Sequence, residues 1–60
     1  MKYYITQFET ILMKVDSDNN LFVYDHDGWQ RQTPPDSWEQ FYENYREISK
    51  QDLVKRVLKS

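Results

Sequence analysis

Acidic and amide side chains in the first half of the chain have a spacing that could bind a metal ion. Asp16, Asp18 and Asn20 match the opening of a calcium-binding loop, and Asp27 falls at its twelfth position. That loop needs glycine at its sixth position for a sharp turn, and Leu21 stands there instead. The pattern therefore favours a polar hairpin turn over a calcium site.

His26, the only histidine, lies between Asp25 and Asp27. Neighbouring residues on a strand point to opposite faces, so these three side chains cannot converge on one metal ion. The serines fall at turns, helix caps or the terminus, and one glycine is too few for a phosphate-binding loop. We therefore expect no catalytic residue, metal or cofactor, and no enzymatic activity.

Length and composition narrow the class of protein. Sixty residues make one domain, 1–60, and the absence of cysteine leaves it without disulfides. Small domains of this kind rely on a dense core or on self-association, and aromatic residues make up 17% of the chain. Exposed sheet edges add to the tendency to associate. We expect a homodimer.

Charge and hydropathy bear on the partner and the compartment. The net charge of −2 argues against direct binding of nucleic acid, which normally needs a basic surface. No apolar run reaches the length of a signal peptide or a membrane span. Together with the absence of cysteine, this predicts a cytoplasmic protein that does not enter the membrane.

The element pattern predicts an α+β fold with strands first and helices second. Residues 11–15 alternate in polarity, 21–24 are apolar and aromatic, and 29–32 and 3–6 are weaker strand candidates. Polar turns at 16–20 and at Asp27-Gly28 separate the strands. We predict a small antiparallel sheet, either a hairpin or a three-stranded meander, followed by two helices packed on one face.

Two helices are expected after the prolines at 34 and 35. Asp36 or Ser37 can cap the first, and residues 46–48 then form a connection. Ser49 caps the second, and Ile48 and Leu53 have the spacing of a hydrophobic staple around that cap. The apolar face of the second helix is expected at Leu53, Val54, Val57 and Leu58. The basic cluster Lys55, Arg56 and Lys59 is expected to form a solvated outer face.

The first helix carries the most informative surface pattern. Its apolar stripe consists of Trp38, Phe41, Tyr42 and Tyr45 at helical spacing. Phe41 and Tyr45 are expected in the core. Trp38 and Tyr42 either join that core or form an aromatic ridge edged by Glu39 and Glu43. Tryptophan and tyrosine are enriched at protein–protein interfaces, so the ridge is a candidate binding surface for another protein.

Three segments give the chain a resemblance to a known family. They are residues 24–28, residues 37–42 and the closing helix at 53–59. Over roughly residues 10–59 the chain resembles the small uracil-DNA glycosylase inhibitors of phi29-like phages. The resemblance implies a hairpin followed by two helices, a homodimer, and inhibition by mimicry of DNA.

The resemblance also implies roles for individual residues. Trp38 would enter the hydrophobic pocket of the glycosylase, with Tyr42 as its helper. Asp25, or alternatively Tyr24, would stand at the family's acidic position on the preceding strand. The chain departs from the family in having Trp38 where the family has phenylalanine, in an apparent insertion at 32–35, and in its weak acidity. The alternative hypothesis is a self-associating structural or regulatory module of unknown partner, in which Trp38 is buried.

Overall fold

The computed structural model describes residues 1–59, which form a five-stranded antiparallel sheet and two helices. The strands are β1 (Lys2–Thr6), β2 (Leu12–Val15), β3 (Leu21–Asp25), β4 (Gly28–Gln32) and β5 (Tyr45–Ile48). The helices are α1 (Trp38–Asn44), between β4 and β5, and α2 (Lys50–Lys59), after β5. The strand order in the sheet is β4-β3-β2-β1-β5. The predicted α+β class is confirmed, and the sheet is larger than the two or three strands expected.

The hairpin turns form where the polar residues predict them. At the β2–β3 turn the Asp16 carboxylate accepts hydrogen bonds from the backbone N–H groups of Asp18 and Asn20, both at 2.9 Å. Asn19 adopts a left-handed φ of 63° in this turn. At the β3–β4 turn Gly28 has φ of 101°, which glycine adopts without a steric penalty. Local turn chemistry thus sets the register of the β2–β3–β4 meander.

The two helices cover opposite faces of the sheet. Tyr4 and Ile5 are neighbours on β1, so their side chains point to opposite sides. The first buried cluster, on the α1 side, contains Tyr4, Met13, Val15, Leu21 and Phe41. The second, on the α2 side, contains Ile5, Ile48 and Leu53. The prediction that both helices pack on one face of the sheet was therefore wrong.

The strand β5 explains this arrangement. Residues 46–48 were expected to form a connection, but Tyr45–Ile48 pair with β1 at the sheet edge. Tyr45 has extended dihedrals (φ −127°, ψ 141°), so α1 ends at Asn44. A strand that lies at the edge lets the chain leave α1 on one face and enter α2 on the other.

The second helix begins as its sequence predicts. The Ser49 hydroxyl accepts a hydrogen bond from the Asp52 backbone N–H at 3.1 Å. Ile48 and Leu53 lie in the same buried cluster, as a hydrophobic staple requires. Val57 is half-buried, whereas Val54 and Leu58 are exposed, so the apolar face is narrower than expected. Neither helix in residues 1–59 is long and apolar enough to cross a membrane.

Candidate protein-binding ridge on the first helix

The helix α1 is positioned by the proline pair and by a serine cap. Ser37 has an extended backbone, and its hydroxyl accepts a hydrogen bond from the Gln40 backbone N–H at 3.4 Å. Of the two predicted caps, Asp36 and Ser37, the structure uses Ser37. Phe41 is buried against the sheet and fixes the rotation of the helix. Trp38 and Tyr42 therefore lie on the flank of α1 that faces β1 and β5.

Trp38 and Tyr42 form a stacked pair. Their ring centroids are 6.0 Å apart with an interplanar angle of 30°. The Trp38 ring also meets the edge of Phe41 at 5.3 Å, so this side chain is half-buried against the α1-side cluster. Tyr42 is 54% exposed. The pair therefore combines an exposed tyrosine with a half-buried tryptophan, which lies between the exposed-ridge and the core hypotheses.

Tyr4 supports this pair from the sheet. Its ring lies 5.2 Å from Phe41 and 5.9 Å from Tyr42. Burial raises the pKa of the Tyr4 phenol, and the neighbouring Tyr42 and Glu47 raise it further. Tyr4 is therefore a neutral, packed ring beneath Tyr42. This packing restricts Tyr42 and reduces the side-chain entropy that binding would cost.

Carboxylates border the stacked pair. Glu39 and Glu43 are exposed on α1, and Glu47 on β5 lies beside Tyr42 in a shallow depression. None of the three forms an ion pair within residues 1–59. We call Trp38, Glu39, Tyr42 and Glu43 the α1 ridge. It combines an exposed aromatic surface with unpaired negative charge.

Positive charge lies on the other side of the sheet. The basic residues on α2 or on the sheet face that α2 covers are Lys14, Arg31, Arg46, Lys50, Lys55, Arg56 and Lys59. Lys2, which pairs with Val15, lies on the α1 face. The Lys14 ammonium sits 4.5 Å from the Trp29 ring centroid and 5.3 Å from that of Phe22. Most of the cations therefore lie on the α2 side, where Glu9 and Asp52 pair with some of them.

Tyr24 and Asp25 lie away from the α1 ridge. The Tyr24 ring packs edge-on against Trp29 at 5.1 Å, on the α2 face of the sheet. Asp25 ends β3, is exposed, and accepts a hydrogen bond from the Asp27 backbone N–H at 2.8 Å. Both line a cleft of about 570 Å³ beside the end of α2. The structure thus brings Trp38, Glu39, Tyr42 and Glu43 together, and it does not bring Tyr24 or Asp25 to them.

The polar turns have structural roles. Asp16 is held by its own hairpin turn, and those hydrogen bonds, first from Asn20, lower the pKa of its carboxyl. Asp27 lies at the opposite end of β3 from Asp16. His26 is exposed, with its Nε2 3.6 Å from an Asp27 oxygen. Within residues 1–59 no three His, Cys, Asp or Glu side chains are grouped so as to hold a metal ion.

The structure contains a charged network around Glu9 that the sequence did not predict. Its carboxylate contacts the guanidinium groups of Arg46 at 3.1 Å and Arg56 at 2.7 Å. The contacts with Arg56, and secondarily with Arg46, lower the pKa of Glu9. Arg56 also pairs with Asp52 at 3.0 Å, so it is not simply part of a solvated face. The Asp52–Arg56 spacing on α2 is a signal for that pair, whereas Glu9 is too distant in sequence to be inferred.

Comparison with known proteins adds no relative, since no family model, curated protein or solved structure matches this chain.

Proposed function

We propose that this chain is a non-enzymatic protein that binds uracil-DNA glycosylase through the α1 ridge and inhibits it by occupying its DNA-binding surface. The observation that carries the proposal is the exposed Tyr42, stacked on Trp38 and bordered by unpaired carboxylates at Glu39 and Glu43. Glycosylases bind an anionic strand and extrude a base into a pocket. An aromatic side chain among carboxylates can fill such a pocket, and the carboxylates supply the negative charge that the strand-binding surface attracts.

The chemistry of the ridge matches this partner class. Aromatic side chains fill apolar pockets at interface hot spots, and tyrosine and tryptophan are the most enriched there. The carboxylates of Glu39, Glu43 and Glu47 would stand where phosphates stand in DNA. A rigid protein that presents these groups avoids the cost of unstacking a base. Inhibition of a DNA-repair enzyme places the chain in the cytoplasm, or in the host cytoplasm if a phage encodes it.

The positions of Tyr24 and Asp25 do not fit the role that the resemblance implies for them. In the family an acidic residue on the preceding strand assists the helix aromatic. Here Tyr24 packs on the α2 face and Asp25 lies at the β3–β4 turn. We therefore assign the acidic role to Glu39, Glu43 and Glu47, and we assign no contact with the glycosylase to Tyr24 or Asp25.

A uracil-excision assay with purified glycosylase tests the proposal. We expect the wild-type chain to slow excision in a concentration-dependent and salt-sensitive way. The double variant Glu39→Gln/Glu43→Gln keeps side-chain size and removes both charges. It should bind more slowly and with weaker salt dependence, because charges at an interface rim mainly steer association.

Asp18→Asn is the matched control for charge, because Asp18 is an exposed carboxylate in the β2–β3 turn. It should inhibit with nearly the wild-type salt dependence. The proposal fails if the wild-type chain at tens of micromolar leaves excision unchanged, since interfaces of about micromolar affinity are then largely occupied.

The second candidate function is a self-associating structural or regulatory module. The half-burial of Trp38 favours it, because that ring contributes to the α1-side core. Exposed apolar side chains at Phe8 (87%) and Leu58 (80%) favour it further. Inhibition of the glycosylase by wild-type protein, lost in ridge variants that remain folded, would exclude this candidate as the sole function.

A further inference from the structure

The helix α2 covers only part of the sheet face on which it packs. Its buried Leu53 contacts the cluster formed by Ile5 on β1 and Ile48 on β5, at one end of the strand order. The strands β3 and β4 lie at the other end of that order. Their aromatic side chains on this face are half-buried, so part of each ring remains open to solvent; they are Phe22, Tyr24 and Trp29.

Contacts and strand register place these rings on one face together with two cations. The Lys14 ammonium lies 4.5 Å from the Trp29 ring centroid and 5.3 Å from that of Phe22. The Tyr24 ring meets Trp29 at 5.1 Å. Phe22 has Lys14 as its cross-strand neighbour on β2 and Arg31 as its neighbour on β4, so it lies between two cations. We call Lys14, Phe22, Tyr24, Trp29 and Arg31 the aromatic platform.

The two cations of the platform are not neutralised by ion pairs. Neither Lys14 nor Arg31 forms a salt bridge within residues 1–59. Arg31 donates a hydrogen bond to the side-chain oxygen of Asn20 at 3.0 Å, which holds its guanidinium at the β2–β3 end of the platform. The Asp16 carboxylate in that turn accepts hydrogen bonds from Asp18 and Asn20. Both positive charges can therefore pair with an anion from outside the chain.

We propose that the aromatic platform binds a short single-stranded nucleic acid, with bases stacked on its rings and phosphates paired with Lys14 and Arg31. Every base has a flat face that stacks on an aromatic side chain, and neighbouring cations hold the phosphate backbone. Sheet faces that carry aromatic residues bind unstacked bases in this way. An acidic peptide would satisfy the two cations but has no planar bases to stack on three adjacent rings. The combination of rings and cations therefore favours a single strand.

The charge of the chain limits the affinity of this surface. Duplex binding normally depends on many basic residues, and the net charge of −2 argues against it. Two phosphate contacts support weak binding, with a Kd of about 10–100 µM, in the range typical of sequence-independent complexes. The α1 ridge lies on the opposite face of the sheet, so a bound strand leaves Trp38 and Tyr42 accessible.

Fluorescence anisotropy with a labelled oligothymidylate of about eight nucleotides tests stacking on the platform. Phe22→Leu keeps an apolar side chain and removes the ring. We expect it to weaken binding about 5- to 150-fold, the equivalent of about 1–3 kcal/mol for one stacked base. Phe22→Tyr keeps the ring and should bind within about twofold of wild type. Circular dichroism checks that both variants are folded.

Salt dependence tests the two phosphate contacts. Each contact with a single strand contributes about 0.7 to the slope of log K against log salt concentration, so the wild-type slope should be about −1.4. Lys14→Gln and Arg31→Gln should each reduce its magnitude by about 0.7. Lys55→Gln removes one charge at an exposed position on α2 and is the matched control, which should leave the slope unchanged.

Two further measurements on the wild-type chain need no variant. An abasic oligomer of equal length keeps the phosphates and should bind at least fivefold more weakly, since about 1 kcal/mol of stacking is lost. In NMR titrations the indole N–H resonance of Trp29 should shift, whereas that of Trp38 should not.

The proposal is overturned by the absence of binding at about 1 mM protein, well above the expected Kd. It is also overturned if the abasic oligomer or a polyglutamate peptide binds as tightly as oligothymidylate, or if Lys55→Gln changes the slope as much as Lys14→Gln. These measurements need no glycosylase, so this inference and the proposed inhibition can fail separately.

Discussion

Replacement of Tyr42 by alanine separates a binding role of the α1 ridge from a core role. Tyr42 is 54% exposed, and its ring contacts Tyr4, Trp38 and Phe41 at centroid distances of 5.9, 6.0 and 5.8 Å. Truncating a fully buried aromatic residue costs about 3–5 kcal/mol, so a side chain just under half buried should cost about 1.5–2 kcal/mol. Most of the protein should then remain folded.

The expected loss of inhibition is larger than this loss of stability. An aromatic residue that fills a desolvated pocket contributes about 2–4 kcal/mol, or roughly 30- to 1,000-fold in affinity. Urea unfolding measures the stability of Tyr42→Ala, and titration into the uracil-excision assay measures its inhibition. Tyr42→Phe keeps the ring and should inhibit within about threefold of wild type, since only the exposed hydroxyl is lost.

Trp38→Ala should differ from Tyr42→Ala in a defined way. Because Trp38 packs against the α1-side cluster, its removal should cost about 2–4 kcal/mol of stability as well as inhibition. The contact of Trp38 with Phe41 makes Tyr42 the cleaner probe of binding. Wild-type inhibition by a folded Tyr42→Ala variant would refute the binding role of the ridge.

Three further predictions concern stability. Ser49→Ala should cost about 1 kcal/mol by removing the cap on the Asp52 N–H, seen as a lower urea midpoint with unchanged slope; an unchanged midpoint would mean that α2 begins elsewhere. Because the pKa of Glu9 is lowered in the folded state by Arg56 and Arg46, its contribution to stability is fully present above its ordinary unfolded pKa and is lost as pH falls through the lowered folded value. Glu9→Gln should reduce the fall of the urea midpoint at acid pH. An identical fall in wild type and variant would contradict the assignment. Gly28→Ala should cost about 1–3 kcal/mol from its φ of 101° alone, since no atom lies within 4 Å of an added Cβ, and a neutral effect would indicate another turn conformation.

Local patterns predicted the elements that depend on local interactions. The turn at 16–20 forms because Asp16 bonds the backbone of its own loop, and Gly28 supplies the positive φ of the next turn. The cap at Ser49 and its staple also depend on residues only a few positions apart. The same holds for the rotation of α1, which the spacing of Trp38 and Phe41 sets.

The pairing of strands that are distant in sequence could not be predicted from local patterns. Tyr45 fits the helical stripe of α1, yet it pairs with Thr6 on β1 and has an extended backbone. Residues 45–48 have two charged residues between two apolar ones, which is not the alternation of a strand, so their sequence does not predict β5 without its distant partner. Once β5 occupies the sheet edge, α2 must start there, which places it on the face opposite α1. The separation of Tyr24 from Trp38 has a different cause: Tyr24 alternates with Val23 on β3, and α1 packs on the face that carries Val23.

The two-sided charge distribution changes what net charge implies about DNA mimicry. A chain of net charge −2 looks too weakly acidic to replace a phosphate strand. The molecule measures 18 Å along its shortest axis, whereas charges in physiological salt are screened over about 8 Å. A partner that contacts the α1 ridge therefore responds to Glu39, Glu43 and Glu47, together with the single cation Lys2 on that face, and only weakly to the cations on the α2 side. The small net charge is a sum over two opposed surfaces, and it does not count against an anionic ridge.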